Sequence, residues 1–531
     1  MAAPTAYDEI AYPGWPYPQT HPDRLATLGT LFGMSPADPA SCRVLELGCG
    51  DGANLLPIAC ASRGARLVGI DLAESAVARG RAIAGELGLQ NLDLRSGDIS
   101  RLPADLGEFD YVIAHGVYSW VPEPVRRALL EACRRHLAPQ GIAFVSYNVQ
   151  PGGHLRSMLR EMLLMHAEGI DDPGERCAAA RAFLALIAEA RPVEETSGTP
   201  SALALEAQRL SGRSDGGLFH DDLSPVFHLC YFRDFCDEAE ANGLQFLAEA
   251  QFHEMQDLGL PAPARERLAG FAPDLVSREQ YLDFVKERRF RQTLLCRSEV
   301  ALRSEVRGET AAAMSVSSQA RPEGEAEDPL AEGERHYRGR GGGTVSTDRP
   351  LVKVALDILA REWPRALPVD DLLAAAAARC GRTAGPAERA MLGDFALACY
   401  AAGCAQLHQR QPAFSRWPGP KPQASALARL QARAGLSVTG VPGNIVALDD
   451  ALARRLVVLL DGTRDRAALL RDIRGDAAAM AGLKKAAGEK GDASSLTAAL
   501  ERSLDALGRC ALLLAEAPPA CGAGRSRSSA A

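Results

Sequence analysis

The sequence contains very little lysine. Among 531 residues it stands only at Lys286, Lys353, Lys421, Lys484, Lys485 and Lys490, so the positive charge is almost all arginine, and the formal net charge is −8. Without an excess of positive charge the chain is not built to neutralise a polyanion or an anionic bilayer, and we expect no nucleic-acid partner. No uninterrupted run of about 18 apolar residues occurs, which argues against membrane insertion. Met1 to Gly14 has neither the basic start nor the apolar core of a signal peptide, so a soluble, cytoplasmic protein is expected. No C-x-x-C pair occurs among the thirteen cysteines, whose odd number and scatter fit reduced thiols better than a disulfide framework. Cys399, Cys404 and His408 could share a helix face, but a fourth ligand and the usual zinc spacings are missing, so no metal is expected. No repeat of fixed period is present.

At 47% hydrophobic and 24% charged residues, the chain is longer than one compact core usually allows, and about two to four domains are expected. From Arg43 to Val149 short apolar runs alternate with helical periodicity, the pattern of a doubly wound parallel sheet. Strands are read at 43–47, 66–70, 92–95, 111–114 and 142–147, and helices at 54–62, 74–87 and 125–137, with Gly88 and Pro139–Gly141 as stops. Leu155 to about Gln208 reads as helical cover, and 218–297 as a second, mostly helical block. Arg307 to Glu334 is poor in large apolar residues and reads as a linker. A short hairpin at His336–Ser346, a helix at Pro350–Arg361 and an Ala/Leu-rich helical remainder follow, ending in a small-residue tail.

The sharpest local feature is Glu46-Leu-Gly-Cys-Gly-Asp-Gly52, where a strand ends and a helix begins. Glycines there permit a sharp turn and close approach of a ligand to the backbone, and Gly48, Gly50 and Ala53 loosely satisfy a dinucleotide pattern. Glu46 and Asp51 place acids where a pyrophosphate would prefer none, so a zwitterionic ligand with a cationic amine and sulfonium fits better. Asp71 closes the second strand about 20 residues beyond the turn, where a carboxylate accepts from two ribose hydroxyls. Asp98 and Ile99 end the third strand, where a carboxylate can accept from an adenine amine beside an apolar wall.

Together with Gly69-Ile-Asp71, Gly97-Asp98-Ile99 and Phe109-Asp-Tyr-Val-Ile113, the turn resembles the class I S-adenosylmethionine-dependent methyltransferases. That resemblance implies S-adenosylmethionine as cofactor. Gly48, Cys49, Gly50 and Gly52 would line its methionine portion with Glu46 nearby, and Asn54 is a further candidate at the helix start. Asp71 would hold the ribose, Leu72 would cover one adenine face, and Asp98 and Ile99 would meet the adenine edge. The fourth strand runs into Ala114-His-Gly-Val-Tyr-Ser-Trp120, from which many such enzymes present residues to the acceptor. No Asp-Pro-Pro-Tyr or Asn-Pro-Pro-Tyr stands there, so acceptors of the DNA or glutamine type lose support. His115, Tyr118 and Trp120 are the catalytic candidates, as an aromatic wall orienting a neutral amine. Plain packing is the competing reading, favoured for Trp120.

Tyr17-Pro-Gln-Thr-His-Pro-Asp-Arg-Leu25, His115–Val121, Val145–Asn148, Pro151–His154, Phe232–Cys236, Gly243–Leu247 and Tyr281–Cys296 resemble a bacterial family that joins such a core to a methyltransferase regulatory domain. That family includes rickettsial enzymes that methylate lysines of outer-membrane proteins. Thr347–Pro350 and Leu460–Arg466 resemble its C-terminal part. The fold class implied is α/β, a Rossmann-like class I methyltransferase core with mostly helical additions, the last winged-helix-like. We divide the chain into a core with an N-terminal strap (1–150), a helical insertion or cover (151–215), the regulatory domain (216–300), a flexible linker (301–335), a winged-helix-like domain (336–516) and a disordered tail (517–531). The segment Tyr17–Leu25 reads either as that strap over the pocket or as a surface turn capping a helix at Pro22–Phe32. Methyl transfer to protein lysine is the leading function. Small-molecule O- or N-methylation and cofactor sensing without transfer are the alternatives, so the partner is a protein substrate or a small-molecule acceptor. The oligomeric state is left open. His220–Leu223 reads as a solvated loop in preference to an acidic rim over the site, and Lys286–Arg291 as a charged helix face in preference to a docking surface.

Overall fold

The computed structural model describes residues 12, 14–190, 201–324, 328–435, 437–488 and 492–515. The tail expected at 517–531 lies outside them. The chain falls into two compact units, Met1–Gln411 with Pro442–Asn444, and Pro412–Val441 with Ile445–Ala531.

The first unit is organised on an eight-stranded sheet of β1 (Arg43–Leu47), β2 (Arg66–Asp71), β3 (Leu92–Ser96), β4 (Phe109–Ala114), β5 (Leu137–Val149), β6 (Leu229–Cys230), β7 (Leu244–Glu249) and β8 (Phe290–Arg297). The order is β3-β2-β1-β4-β5-β8-β7, with β6 alongside β5. The first five strands are parallel neighbours and β8 is antiparallel to both β5 and β7. Val44, Leu45, Leu47, Val112, Ile113 and Val145 are fully buried, as a sheet covered on both faces requires. Strand order reverses on either side of β1, which opens a crevice at the carboxyl ends of β1 and β4.

Helices α1 (Pro22–Leu31), α2 (Leu55–Ala61), α3 (Glu74–Glu86) and α4 (Glu123–His136) flank the parallel strands. Pro139–Gly141 does not merely stop a helix: β5 begins at Leu137, and the ladder jumps from Phe109–Leu137 to Tyr111–Ile142, so these residues bulge out. Helices α5 (His154–His166), α6 (Pro173–Ala190) and α7 (Ala202–Ser211) form the cover, with its own core of Leu159, Leu163, Leu184 and Leu210. Then come α8 (Phe232–Ala241), α9 (Ala262–Phe271) and α10 (Leu275–Lys286).

The stretch 216–300 is therefore not a separate helical block, because it supplies β7 and β8 to the core sheet. The charges of Lys286–Arg291 obscured this. Arg291 is fully buried and meets Glu249 at 2.6 Å, Asp283 at 2.8 Å and Glu279 at 3.1 Å, while Arg288 meets Asp283 at 2.9 Å. These arginines are interior partners of three acids rather than a solvated face.

The expected linker at 301–335 is also ordered over its described residues. Ser315–Ser318 forms the middle strand of a small sheet with Leu367–Pro368 and Ala405–His408. Ala311, Ala312 and Gly308 replace large side chains here: a Cβ on Gly308 would sit 2.6 Å from Asp394 Cα, so small residues permit close packing on the helix Pro386–Ala401. The hairpin lies at Arg335–Arg338 and Thr344–Thr347, and the following helix at Pro350–Glu362. Residues 336–411 thus belong to the first unit.

Among its described residues the second unit packs five helices, from Ala426–Ala434 to Ala493–Arg509, around Leu452, Leu456, Leu469, Leu483, Leu500 and Leu504. A hairpin pairs Ser437–Thr439 with Ile445–Ala447, and Arg416 is buried against Asp505 at 2.7 Å.

Within the first unit, Asp23 on α1 accepts from His408 Nδ1 at 2.7 Å and Arg410 N at 2.7 Å, and His408 Nε2 lies 3.0 Å from Ser317 Oγ. All three side chains are buried, so this Ser–His–Asp arrangement clasps α1 to the small sheet. Cys399 and Cys404 are buried thiols nearby in sequence, but His408 already has its two partners. Burial alone would raise the Asp23 carboxyl, but the His408 charge and hydrogen bonds outweigh it and hold it below the usual range. The clasp's contribution is therefore present above the unfolded carboxyl's pKa and lost as pH falls through the lower, folded one. Asp23→Ala, which strands a buried imidazole, should cost about 3 kcal/mol in denaturant unfolding at neutral pH, with a smaller deficit at acid pH. An unchanged midpoint would remove the clasp from the account.

Candidate active site

The crevice beside β1 opens into a cavity of about 750 Å³. Its floor is the turn after β1, with Gly48, Gly50 and Gly52 all at positive φ. At Gly50 a Cβ would meet nothing within 4 Å, so this backbone faces open space. At Gly52 it would meet Leu94 Cδ1 at 2.9 Å. Gly52 is thus a packing glycine under the turn and not part of the cavity wall, contrary to expectation.

Glu46 is 3% exposed. Its Oε1 accepts from Asn54 Nδ2 at 2.9 Å, while Oε2 has no hydrogen-bond partner among the described residues. Burial, with Asp71 and Asp51 adding to it against the Asn54 hydrogen bond, pushes the Glu46 carboxyl up to about 8. Asp71 accepts from Gly50 N at 2.7 Å and Ala73 N at 2.8 Å, and burial raises it as well. Asp98 accepts from Ser100 N at 2.8 Å and Ser100 Oγ at 2.6 Å, which lower it. Cys49, Leu72 and Ile99 complete this end, with Leu72 half exposed.

The segment Tyr17–Leu25 reaches the cavity and also caps α1, but it is largely buried rather than a surface turn, with Thr20, His21 and Asp23 all in the interior. His21 caps α1 by accepting from Asp23 N at 3.1 Å. Ahead of it, Tyr17 N donates to Asn54 Oδ1 at 2.8 Å, and Trp15 and Tyr17 join the cavity wall. Tyr17 lies against His115 with its ring tilted by 36° and the centroids 3.7 Å apart, and Phe290 lies 6.2 Å from the same imidazole. His115 Nδ1 sits 3.2 Å from Ser146 Oγ, which also accepts from Gly116 N at 2.8 Å. Burial lowers His115 to about 4, so it is neutral at physiological pH.

The three expected acceptor residues separate. His115 and Trp120 line the cavity. Trp120 also packs on Phe227 at 5.1 Å and under the Arg156 guanidinium at 5.2 Å. Tyr118 is fully buried beneath it, against Tyr147 and Phe235, and its hydroxyl donates to Glu238 at 2.5 Å. The Tyr118–Trp120 3₁₀ turn points Tyr118 into the core, so it cannot touch an acceptor. His220–Leu223 is not a solvated loop: Asp222 is fully buried, and Arg156 and Arg213 bind it at 2.9 and 3.0 Å. Sequence reasoning missed Trp15, Phe290 and five arginines of the wall, Arg79, Arg156, Arg209, Arg213 and Arg289. Asn148, at the end of β5 in a segment already singled out, was the available signal that this edge faces the site.

A methyltransferase-domain family model matches residues 44–141, a predicted methyltransferase regulatory domain matches 214–297, and the PKMT C-terminal winged helix domain matches 420–512. The chain is 37% identical over 298 residues to the uncharacterized protein RP789 of Rickettsia prowazekii, covering 56% of this chain and 53%, about half, of that relative. It is 33% identical over 244 residues to RP028 of the same organism, 46% of this chain but 96% of the relative. The chain belongs to the class I methyltransferases that carry a methyltransferase regulatory domain. The structure of PKMT2 from Rickettsia typhi superposes with a TM-score of 0.82 at 26% identity, covering 95% of this chain and 100% of that one. Its complex with AdoHcy gives a TM-score of 0.81. S-adenosylmethionine is the cofactor of this methyltransferase, and the unpartnered Glu46 Oε2 suits its cationic amine.

If that carboxylate meets the amine, cofactor binding must expel the proton held by Glu46. Affinity for S-adenosylhomocysteine should then rise from about pH 6 to about pH 8, by at most about tenfold per unit, and level off above. Glu46→Gln should bind more weakly and flatten the profile in calorimetry; a steep profile in that variant would assign the proton elsewhere. Tyr118→Phe should cost about 1 kcal/mol of stability through the lost Glu238 bond while leaving transfer near wild type.

Proposed function

We propose that this protein transfers the methyl group of S-adenosylmethionine to lysine side chains of proteins. The observation that carries the reading is the aromatic wall of Tyr17, His115 and Phe290 beside the β1 turn. The likeness of nearly the whole chain to PKMT2 supports it. Bound at the turn, S-adenosylmethionine supplies an electrophilic methyl group on its sulfonium.

Each residue has a definite task in this reading. Glu46 Oε2 accepts from the cationic amine, Asp71 keeps lone pairs for the ribose hydroxyls, and Asp98 and Ile99 take the adenine edge, with Leu72 over its face. Gly48, Cys49 and Gly50 give the methionine portion close backbone contact, and Asn54 holds Glu46 in place. Tyr17, Phe290 and the neutral His115 exclude water, and their rings favour a cation forming on the acceptor nitrogen. His115, neutral because of burial, can accept a hydrogen bond from the incoming amine and orient its lone pair. No strong base is required once the amine arrives unprotonated. The setting we propose is the cytoplasm, consistent with the reduced thiols expected of scattered cysteines without a C-x-x-C pair. Among the described residues no helix is long and apolar enough to cross a membrane.

Incubation with methyl-labelled S-adenosylmethionine and a protein extract should leave label on protein that survives hot acid and base, with methyl-lysine identified by mass spectrometry. His115→Ala should lower transfer by at least about tenfold while keeping cofactor affinity, whereas Asp71→Ala should lose affinity. Label confined to small solutes would contradict the protein acceptor, and binding without any transfer would favour a sensor.

A further inference from the structure

The cavity has two electrostatic ends. Glu46, Asp51, Asp71 and Asp98 make the cofactor end acidic, whereas Arg156, Arg209, Arg213 and Arg289 line the other, with Asp221. Phe290 follows Arg289 in the chain and faces His115, so the arginines begin where the aromatic wall ends. Glu206, 2% exposed, is gripped by Arg209 Nη2 and Arg289 Nη1, each at 2.5 Å. These two guanidinium side chains remain 47% and 48% exposed. Behind them Arg156 and Arg213 bind Asp222, and Arg156 Nη2, in a residue 9% exposed, has no hydrogen-bond partner among the described residues. Glu206 is shared by two guanidiniums, and Asp221 and Asp222 by Arg156 and Arg213 with Arg160 beside them, so positive charge exceeds negative along this wall.

A protonated lysine gains nothing from such a surface, but a lysine carried on an acidic segment does. We propose that Arg209 and Arg289 form a carboxylate-binding site that receives an acidic side chain of the protein substrate close to the methylated lysine. This rests on the lysine reading and narrows it to a substrate class. Glu206 fixes both forks before any substrate arrives, so little side-chain freedom is lost on binding. Guanidinium–carboxylate pairs of this kind are charge-assisted and directional.

The test uses the full chain with S-adenosylhomocysteine and two fluorescent peptides that differ only in Glu or Gln flanking a single lysine. The Glu peptide should bind about tenfold more tightly in anisotropy, and the advantage should shrink with added salt. Arg209→Gln and Arg289→Gln, each of which leaves one arginine on Glu206, should erase that preference and keep S-adenosylhomocysteine affinity within about twofold. Equal binding of the two peptides to the unaltered protein would overturn the proposal without needing any variant. So would variants that lose S-adenosylhomocysteine affinity but keep the peptide preference, because the arginines would then hold the cofactor's own carboxylate. If the preference appears but S-adenosylmethionine yields no methyl-lysine on either peptide, the carboxylate site stands and the lysine reading falls.

Discussion

The buried carboxylate of Glu46 ties together parts of the chain that are otherwise distant. Held by Asn54, which in turn takes the Tyr17 amide at 2.8 Å, it links the end of β1, the start of α2 and the N-terminal strap in one hydrogen-bonded line. The strap brings Trp15 and Tyr17 to the cavity, and α1, its continuation, is clasped at Asp23 by His408. A deeply buried oxygen without a partner among the described residues is costly, and a cation that reaches it recovers that cost as affinity.

Charge organises the rest of the first unit in the same manner. Arg291 and Arg288 bind Glu249, Glu279 and Asp283 between α10, β7 and β8, so the antiparallel edge is fastened by ion pairs as well as by the ladder. Removing one partner of such a cluster is expected to hurt more than the pair itself contributes, because a charge is left stranded. On the cavity side Arg209 and Arg289 share one buried acid and remain about half exposed, in contrast to the fully buried Arg291.

The parallel half of the sheet was legible because its strands are short apolar runs punctuated by glycine turns, and the turn after β1 concentrates residues with few other uses. The antiparallel half was not, since β7 and β8 are far from β5 in sequence and β8 follows a run of charges that resembles a surface. Residues 307–324 looked like a linker because alanine and glycine pack by proximity rather than bulk. At the site, the acids and glycines were visible as a motif. The sequence reading favoured packing for Trp120 over Tyr118, and the 3₁₀ turn reverses it, sending Tyr118 inward and leaving Trp120 on the wall. Arg209 and Arg289 meet only through Glu206, a relation that three-dimensional folding alone creates.

A crystal structure with S-adenosylhomocysteine would place the ligand directly. Its amine should lie within hydrogen-bonding distance of Glu46 Oε2 and its ribose on Asp71, with Tyr17 still bound to Asn54. A ligand lodged elsewhere in the cavity, or one that leaves Glu46 Oε2 without a partner, would contradict that placement.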